Sequence, residues 1–348
     1  FRHAKKMNFN FNDDQALFSE SLEKYLNDNV TTKSIREFWT DNTHFLSSRW
    51  KELDELGFIT ANINESNGGM SLDLITIALL VEKIGYSGIP EPIAEQLFLA
   101  NPLINEFSSQ INHNEYLAVA HDLAPHPNFL EDSKQLIFFH EQNPYLIDIE
   151  KLKIRSLESN DPSRSIYNYE ANNLDDATKL DSEKNLYEQV QNYGMVMTSA
   201  LLLGLSKRII DSAKLYTSDR EQFGKPIGSF QAVKHMLADV AIEIEFTNAL
   251  VYRAASSIEQ NCSNASLHAA QAKFQSIKAC EIASKNGLQA HGAMGYTWEM
   301  DLHIFIRKGW SYKGIWGSKP FVENLVFNNL KKDLPKLGAT YTFMDDND

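Results

Sequence analysis

The sequence predicts a mostly α-helical protein with a small β-domain set between two helical parts. Three observations carry this. Apolar residues recur at helical spacing from Asp14 to about Asn101, the character changes to short β-prone runs between about Ile111 and Lys184, and the helical period returns from Leu186 onward. With 348 residues, 43% of them hydrophobic, the chain can build two or three domains around a sizeable core, which excludes intrinsic disorder.

Residues 1–6 precede Met7 and read as a tag remnant or an upstream start, while Asp13 and Asp14 are placed to cap the first helix. In the helical domain assigned to 7–110, Leu17, Phe18, Leu22, Tyr25 and Leu26, then Trp50, Leu53 and Leu56, keep a helical period that Gly57, the 67–69 turn and the 88–92 segment interrupt. The β-domain, 111–185, holds runs at 116–120, 135–139, 145–149, 151–155 and 166–169, separated by Pro, Asn, Asp and Ser. In the part assigned to 186–337, Val233, Met236, Leu237, Val240, Ile244, Thr247 and Val251 form one stripe of a helix reaching about Gln260. A second helix is expected over 265–289. Long helices with short connections imply an antiparallel bundle. Residues 338–348 are left as a tail whose acidic end, Asp345–Asp348, is solvated.

Charge and composition narrow the function classes. The 33 Lys and Arg are outnumbered by 46 Asp and Glu, and a net charge of −13 repels a nucleic-acid backbone, so no nucleic-acid partner is expected. Cys262 and Cys280 read as small buried hydrophobes in a reducing compartment, and the expected location is cytoplasmic. The apolar run 195–205 is broken by Thr198, Ser199 and Gly204 and falls short of the roughly 18 residues of a membrane span, so no membrane helix is expected. There is no Cys-x-x-Cys, His-Glu-x-x-His, Gly-x-Ser-x-Gly or Walker loop, and the ten histidines lack ligand spacing, so no metal site is expected.

Two C-terminal segments carry candidate chemistry. In 219–231, Arg220 ends one helix and a Gly/Pro turn leads into the next, which offers a fork of N–H donors to a phosphate; the alternative is a plain helix connector. In 289–297, Gly292 and Gly295 permit close approach of backbone N–H groups to a ligand and Gln289 adds an amide; the alternative is an ordinary helix stop. Together they point to a bound diphosphate.

At these residues the sequence resembles the acyl-CoA dehydrogenase family. The likeness extends to Trp50-x-x-Leu53-x-Glu55-x-Gly57, Glu65 with Gly68-Gly69, Glu82-x-x-Gly85, Asp161-Pro162-Ser163-Arg164, and the 298–303 segment with Arg307, and it covers the chain except about 111–160. The resemblance implies a helical domain, a β-domain and a four-helix bundle, assembled as dimers or tetramers around FAD and an acyl-CoA thioester, with an electron-transfer flavoprotein as partner. It assigns the clasp on a neighbouring subunit's FAD to Arg220, Gln222, Phe223, Phe230, Gln231, Gln289 and Gly292, with Ala293 in place of a second glycine.

The likeness fails at the reacting end. Family members place the proton-abstracting Glu either in the loop after the Arg307 helix, where this chain has Trp316, or on the first bundle helix, where it has Gly194. An indole is a donor only and glycine has no side chain, so neither can take a proton, and no catalytic residue is assigned. The family's flavin-ring and thioester motifs of the β-domain have no counterpart in 111–184. The reading that follows is a shortened subunit that lends half of an FAD site to a second acyl-CoA dehydrogenase-like chain owning the Glu. Two alternatives stand beside it: a self-sufficient homo-oligomer using Glu299, Asp301 or His303 as base, and a non-catalytic acyl-CoA-binding or scaffold subunit.

Overall fold

The computed structural model describes residues 11–41, 48–111, 115–171 and 173–332. The expected tag-like start and acidic tail lie outside them. The chain opens with α1 (Asp13–Asn29), α2 (Thr32–Asp41), α3 (Ser48–Glu55) and α4 (Leu74–Ser87). A helix over 93–106 follows, built of α5 (Ile93–Glu95), a π-turn (Gln96–Ala100) and α6 (Asn101–Glu106). The cap of α1 is Asn12, one residue before the expected pair. Its side chain accepts from the Gln15 N–H at 2.8 Å and the Gln15 side chain accepts from the Asn12 N–H at 3.0 Å, a closed capping box. Asp13 and Asp14 lie in the first turn, where their charge favours the helix dipole.

The β-part contains β1 (Ala118–Val119), β2 (Gln135–His140), β3 (Asn143–Asp148), β4 (Leu152–Leu157), β5 (Ile166–Ala171) and β6 (Thr178–Lys179). The first sheet has the order β1-β2-β3-β6 and the second is the β4-β5 hairpin. Each β-prone run of the sequence becomes a strand; β6 is an addition, two exposed residues recruited by pairing with β3. The β2-β3 turn has positive φ at Glu141 and Gln142, the geometry of a two-residue hairpin, without the Gly or Asn that usually announces it.

The helical bundle is α7 (Leu186–Asp219), α8 (Gln231–Glu259), α9 (Ala265–His291), α10 (Leu302–Lys313) and α11 (Lys319–Lys332). The fold class is therefore the expected one: mostly α, with a small β-part between helical parts. On α8 the stripe holds where the helix is covered, with Val240, Ile244, Thr247 and Val251 buried, and opens toward its start, where Val233, Met236 and Leu237 are half-buried. Among the described residues no helix is long and apolar enough to cross a membrane, and no group of three or more His, Cys, Asp or Glu could hold a metal ion.

The first helical part is welded to the bundle by α4 on α7. A methyl group on Gly85 would come within 2.9 Å of Leu201 Cα, and one on Gly204 within 2.6 Å of Tyr86 N, so the two helices touch backbone to backbone. Beside this crossing, buried Glu82 takes Lys207 at 2.6 Å and the Tyr252 hydroxyl at 2.7 Å, which joins α4, α7 and α8 at one carboxylate. The Glu82-x-x-Gly85 pair quoted for the resemblance thus serves helix packing. We expect Gly204→Ala to cost about 1–3 kcal/mol by overpacking. Gly314→Ala, at a helical φ with nothing within 4 Å of the added methyl, should be neutral. Thermal melts of both variants check this; equal melting temperatures would contradict the backbone contact.

Candidate functional site

An antiparallel bundle places the C-termini of α7 and α9 and the start of α8 at one end. Two contacts show it here: the Tyr216 ring of α7 stacks on His291 of α9 at 4.5 Å and 22°, and Asn286 Nδ2 of α9 donates to Met236 O of α8 at 2.8 Å. The two segments singled out in the sequence therefore meet at the same end of the molecule.

Arg220 leaves the helical conformation while its N–H still caps Tyr216 O. The chain then makes a tight hairpin of β7 (Glu221–Gln222) and β8 (Lys225–Pro226), turned by positive φ at Phe223 and Gly224 and closed by the Ile227 N–H donating to Arg220 O at 2.8 Å. This presents Phe223 at 93% exposure, edge-on to Phe230, while Lys225 covers the Phe230 ring at 4.5 Å. Phe230 has no side chain to cap α8, so the first N–H groups of that helix, beginning at exposed Gln231, are free of side-chain partners. Across from it, the last turn of α9 carries exposed Gln289. Gly292 adopts φ 59° and ψ −139°, and a methyl group there would meet nothing within 4 Å, which leaves backbone open beside exposed Ala293. Gln222 is exposed too, its amide donating to the neighbouring Glu221 O. Arg220 is exposed and pairs with no carboxylate among the described residues. Arg220, Gln222, Phe223, Phe230, Gln231, Gln289, Gly292 and Ala293 thus supply a guanidinium, amides, rings and backbone donors on one outward-facing end. That donor set fits a diphosphate with an attached ring held from outside the fold.

Trp316 and Gly194, separate in sequence, lie in contact: a methyl on Gly194 would overlap the indole, falling 2.6 Å from Trp316 Cγ. The indole is 2% exposed at positive φ, and its backbone N–H donates to Leu123 O at 2.8 Å. His121 sits beside it at 5.3 Å between ring centroids, stacked on Tyr187 at 4.2 Å and packed against Phe139 at 5.3 Å. The Leu123 N–H donates to His121 Nδ1, so the ring proton belongs on Nε2, 3.2 Å from Tyr187 O. Beneath this aromatic cluster Thr198 Oγ1 donates to Gly194 O at 2.8 Å. Fully buried Lys273 donates to Thr198 Oγ1 and Tyr312 O, each at 2.9 Å. Enclosure pushes the Lys273 amine down to about 7, with nearby Arg164 adding to the same direction and Cys280 opposing it.

Sequence reasoning missed both groups. The inward position of Lys273, one helical turn from buried Ala269 and Ser276, was a readable signal; nothing local marked His121.

The acids considered as substitutes are committed elsewhere or lie in the open. Asp301 accepts from Arg36 Nε and Nη2 at 3.1 and 2.9 Å, and Glu299 is exposed. His303 lies between Trp39 and Trp298, its pKa depressed by burial and then by Arg36 and Arg307. Asp301 stands at the N-cap of α10 without a side-chain bond, Glu299 precedes that helix, and His303 is its second residue.

Two measurements follow. Trp316→Ala should cost about 3–5 kcal/mol as a cavity. Gly194→Ala is destabilising in the parent chain and much less so beside Trp316→Ala, with a coupling of about 0.5–3 kcal/mol; additive costs in a double-mutant cycle would refute the contact. Burial also depresses the pKa of His121 below its usual 6.5, against weaker opposing effects of Tyr187 O and Asp122. The unfolded chain then takes the proton first, so stability falls as pH drops below about 6.5 toward the depressed value. His291 and His303 shift the same way, so the readout is a difference: His121→Gln should lose less melting temperature on acidification than the parent. Parallel losses would contradict it.

Comparison with known proteins places both helical parts of the chain in one family. The model of the acyl-CoA dehydrogenase N-terminal domain matches 12–120 and that of the C-terminal domain matches 188–317, so β2 to β6 lie between the two matches. The acyl-CoA dehydrogenase IpdE2 of Mycolicibacterium smegmatis is 22% identical over 311 residues, covering 85% of this chain and 92% of that one. Acyl-CoA dehydrogenase FadE34 of Mycobacterium tuberculosis is 34% identical over 131 residues, 37% of this chain and 18% of that longer protein. Among solved structures, the ChsE4-ChsE5 complex of Mycobacterium tuberculosis shares the fold with a TM-score of 0.82 at 17% identity, over 94% of this chain and 100% of that one. Because the two models together match most of the chain, it belongs to the acyl-CoA dehydrogenase family.

Proposed function

We propose that this chain is an acyl-CoA dehydrogenase-type flavoprotein subunit that completes an FAD site across an interface, while a second chain of the same family supplies the Glu for α,β-dehydrogenation of an acyl-CoA thioester. One observation carries the reading: the indole of Trp316 packed on Gly194 fills the place where either family position would put a base. The nucleotide clasp, by contrast, is intact and faces outward. Likeness in fold to a protein solved as the ChsE4-ChsE5 complex is in keeping with a two-chain assembly.

In this reading Arg220 pairs with the pyrophosphate, Gln289 and the backbone at Gly292 add donors, and Phe223 offers its exposed ring to the adenine side. When bound, FAD supplies the acceptor for the substrate's β-hydride. The work of this chain is to hold and orient. Exposed Leu215, Ile242 and Phe246, on the same helices as the clasp, give a partner apolar surface to cover. Electrons pass on to an electron-transfer flavoprotein, as the family resemblance implies. The self-sufficient alternative is weakened by the Arg36–Asp301 pair.

Expression alone and together with a full-length family partner tests the reading. The single chain should hold no flavin and show no dye-linked acyl-CoA oxidation, and the pair should show both. Removing the Arg220 guanidinium by Arg220→Ala should weaken FAD retention by the pair roughly 10- to 100-fold, the value of a charge-assisted hydrogen bond. Full activity and bound flavin from the single chain would refute it. Absence of flavin from every purified complex would favour a scaffold role.

A further inference from the structure

A groove opens between helices α9 and α10, bounded by the 295–298 turn. Its volume is about 610 Å³, within the usual size of small-molecule pockets, and it shares no residue with the flavin clasp. Leu288 and Ile306 line it along the two helices. Three large rings also line it and remain open: Tyr296 at 76%, Trp298 at 64% and Trp310 at 50% exposure. Rings held at such exposure on a structured turn and helix form a stacking platform for another planar ring.

The charge at the rim runs against the rest of the molecule. In a chain of net charge −13, the groove has Lys285 and Arg307 on its wall. Its one carboxylate, Glu281, is already met by Lys313 at 3.2 Å and Lys319 at 3.5 Å. Lys285 is exposed and pairs with no carboxylate among the described residues. Arg307 is fixed by donating from Nε to Asn160 O at 2.6 Å, with its guanidinium 5.6 Å from the ring centroids of Trp39 and Trp298. The cations at this opening are in excess, which favours an anionic occupant and disfavours a cation drawn to the same aromatic rings.

We propose that this groove binds a planar aromatic anion, its ring stacked among Tyr296, Trp298 and Trp310 and its acidic group beside Lys285 and Arg307. A free aromatic carboxylic acid and a purine nucleotide share this chemistry. The site is independent of the flavin reading, since no clasp residue takes part and the single chain suffices to test it.

Isothermal titration of the full chain with naphthalene-2-carboxylate and, separately, with 5′-AMP reads it directly. Saturable one-to-one binding of at least one probe, at or below about 1 mM, is expected, and which of them binds distinguishes the two sources. Trp310→Ala should weaken that binding roughly fivefold or more through lost stacking. Lys285→Glu should weaken it by a similar factor and flatten its salt dependence. Both side chains are solvent-facing, and circular dichroism confirms that the variants fold. The naphthalene ring carrying an ammonium in place of the carboxylate should bind more weakly. No saturable binding of either anion, unchanged affinity in both variants, or equal affinity for the ammonium probe would overturn the proposal.

Discussion

The packing of Trp316 against Gly194 sets the terms for everything else in this molecule. A buried indole excludes both a carboxylate and an acyl chain from the space it fills, and glycine is the only residue that can lie beneath it. The cluster also joins the parts of the fold. The Trp316 N–H reaches Leu123 of the β-part, His121 stacks on Tyr187 at the start of α7, and Lys273 ties α9 to the end of α10 through Tyr312 O. What would be an open reacting centre is a packed seam in this chain.

The opposite holds at the end of the bundle. Phe223 and Gly292 lie in tight turns, and Arg220 and Gln289 at the ends of α7 and α9, all uncovered by their own fold. Conformation is spent there on exposure: Phe223 takes a left-handed φ without being glycine, and Phe230 begins a helix without a capping side chain. Such features cost stability in isolation, and under the proposed function they serve a ligand that binds from outside. Closure at one end and openness at the other make a division of labour between two chains the simplest account of both.

Much of the architecture was legible because it rests on periodicity. The α8 stripe reflects one-sided burial and the apolar run of β2 reflects burial on both faces, and each leaves a pattern in the sequence. What was not legible depends on pairing at a distance. β6 forms because β3 offers it an edge, the turn at Glu141–Gln142 lacks its usual residues, and the cap fell on Asn12 because a reciprocal bond with Gln15 outcompetes the neighbouring acids. At the site, the identity of Gly194 and Trp316 could be read as a loss of chemistry. That one fills the space of the other is a tertiary fact. The same is true of His121, which reaches the indole only through the fold.

A structure of the flavin-loaded assembly bears most directly on the central claim. The account predicts the pyrophosphate against Arg220, Gln289 and the Gly292 backbone of this chain, with the isoalloxazine ring and a glutamate on the other polypeptide and Trp316 still seated on Gly194. A flavin ring lodged beside a displaced Trp316, with an acidic side chain of this same chain facing the substrate, would contradict it.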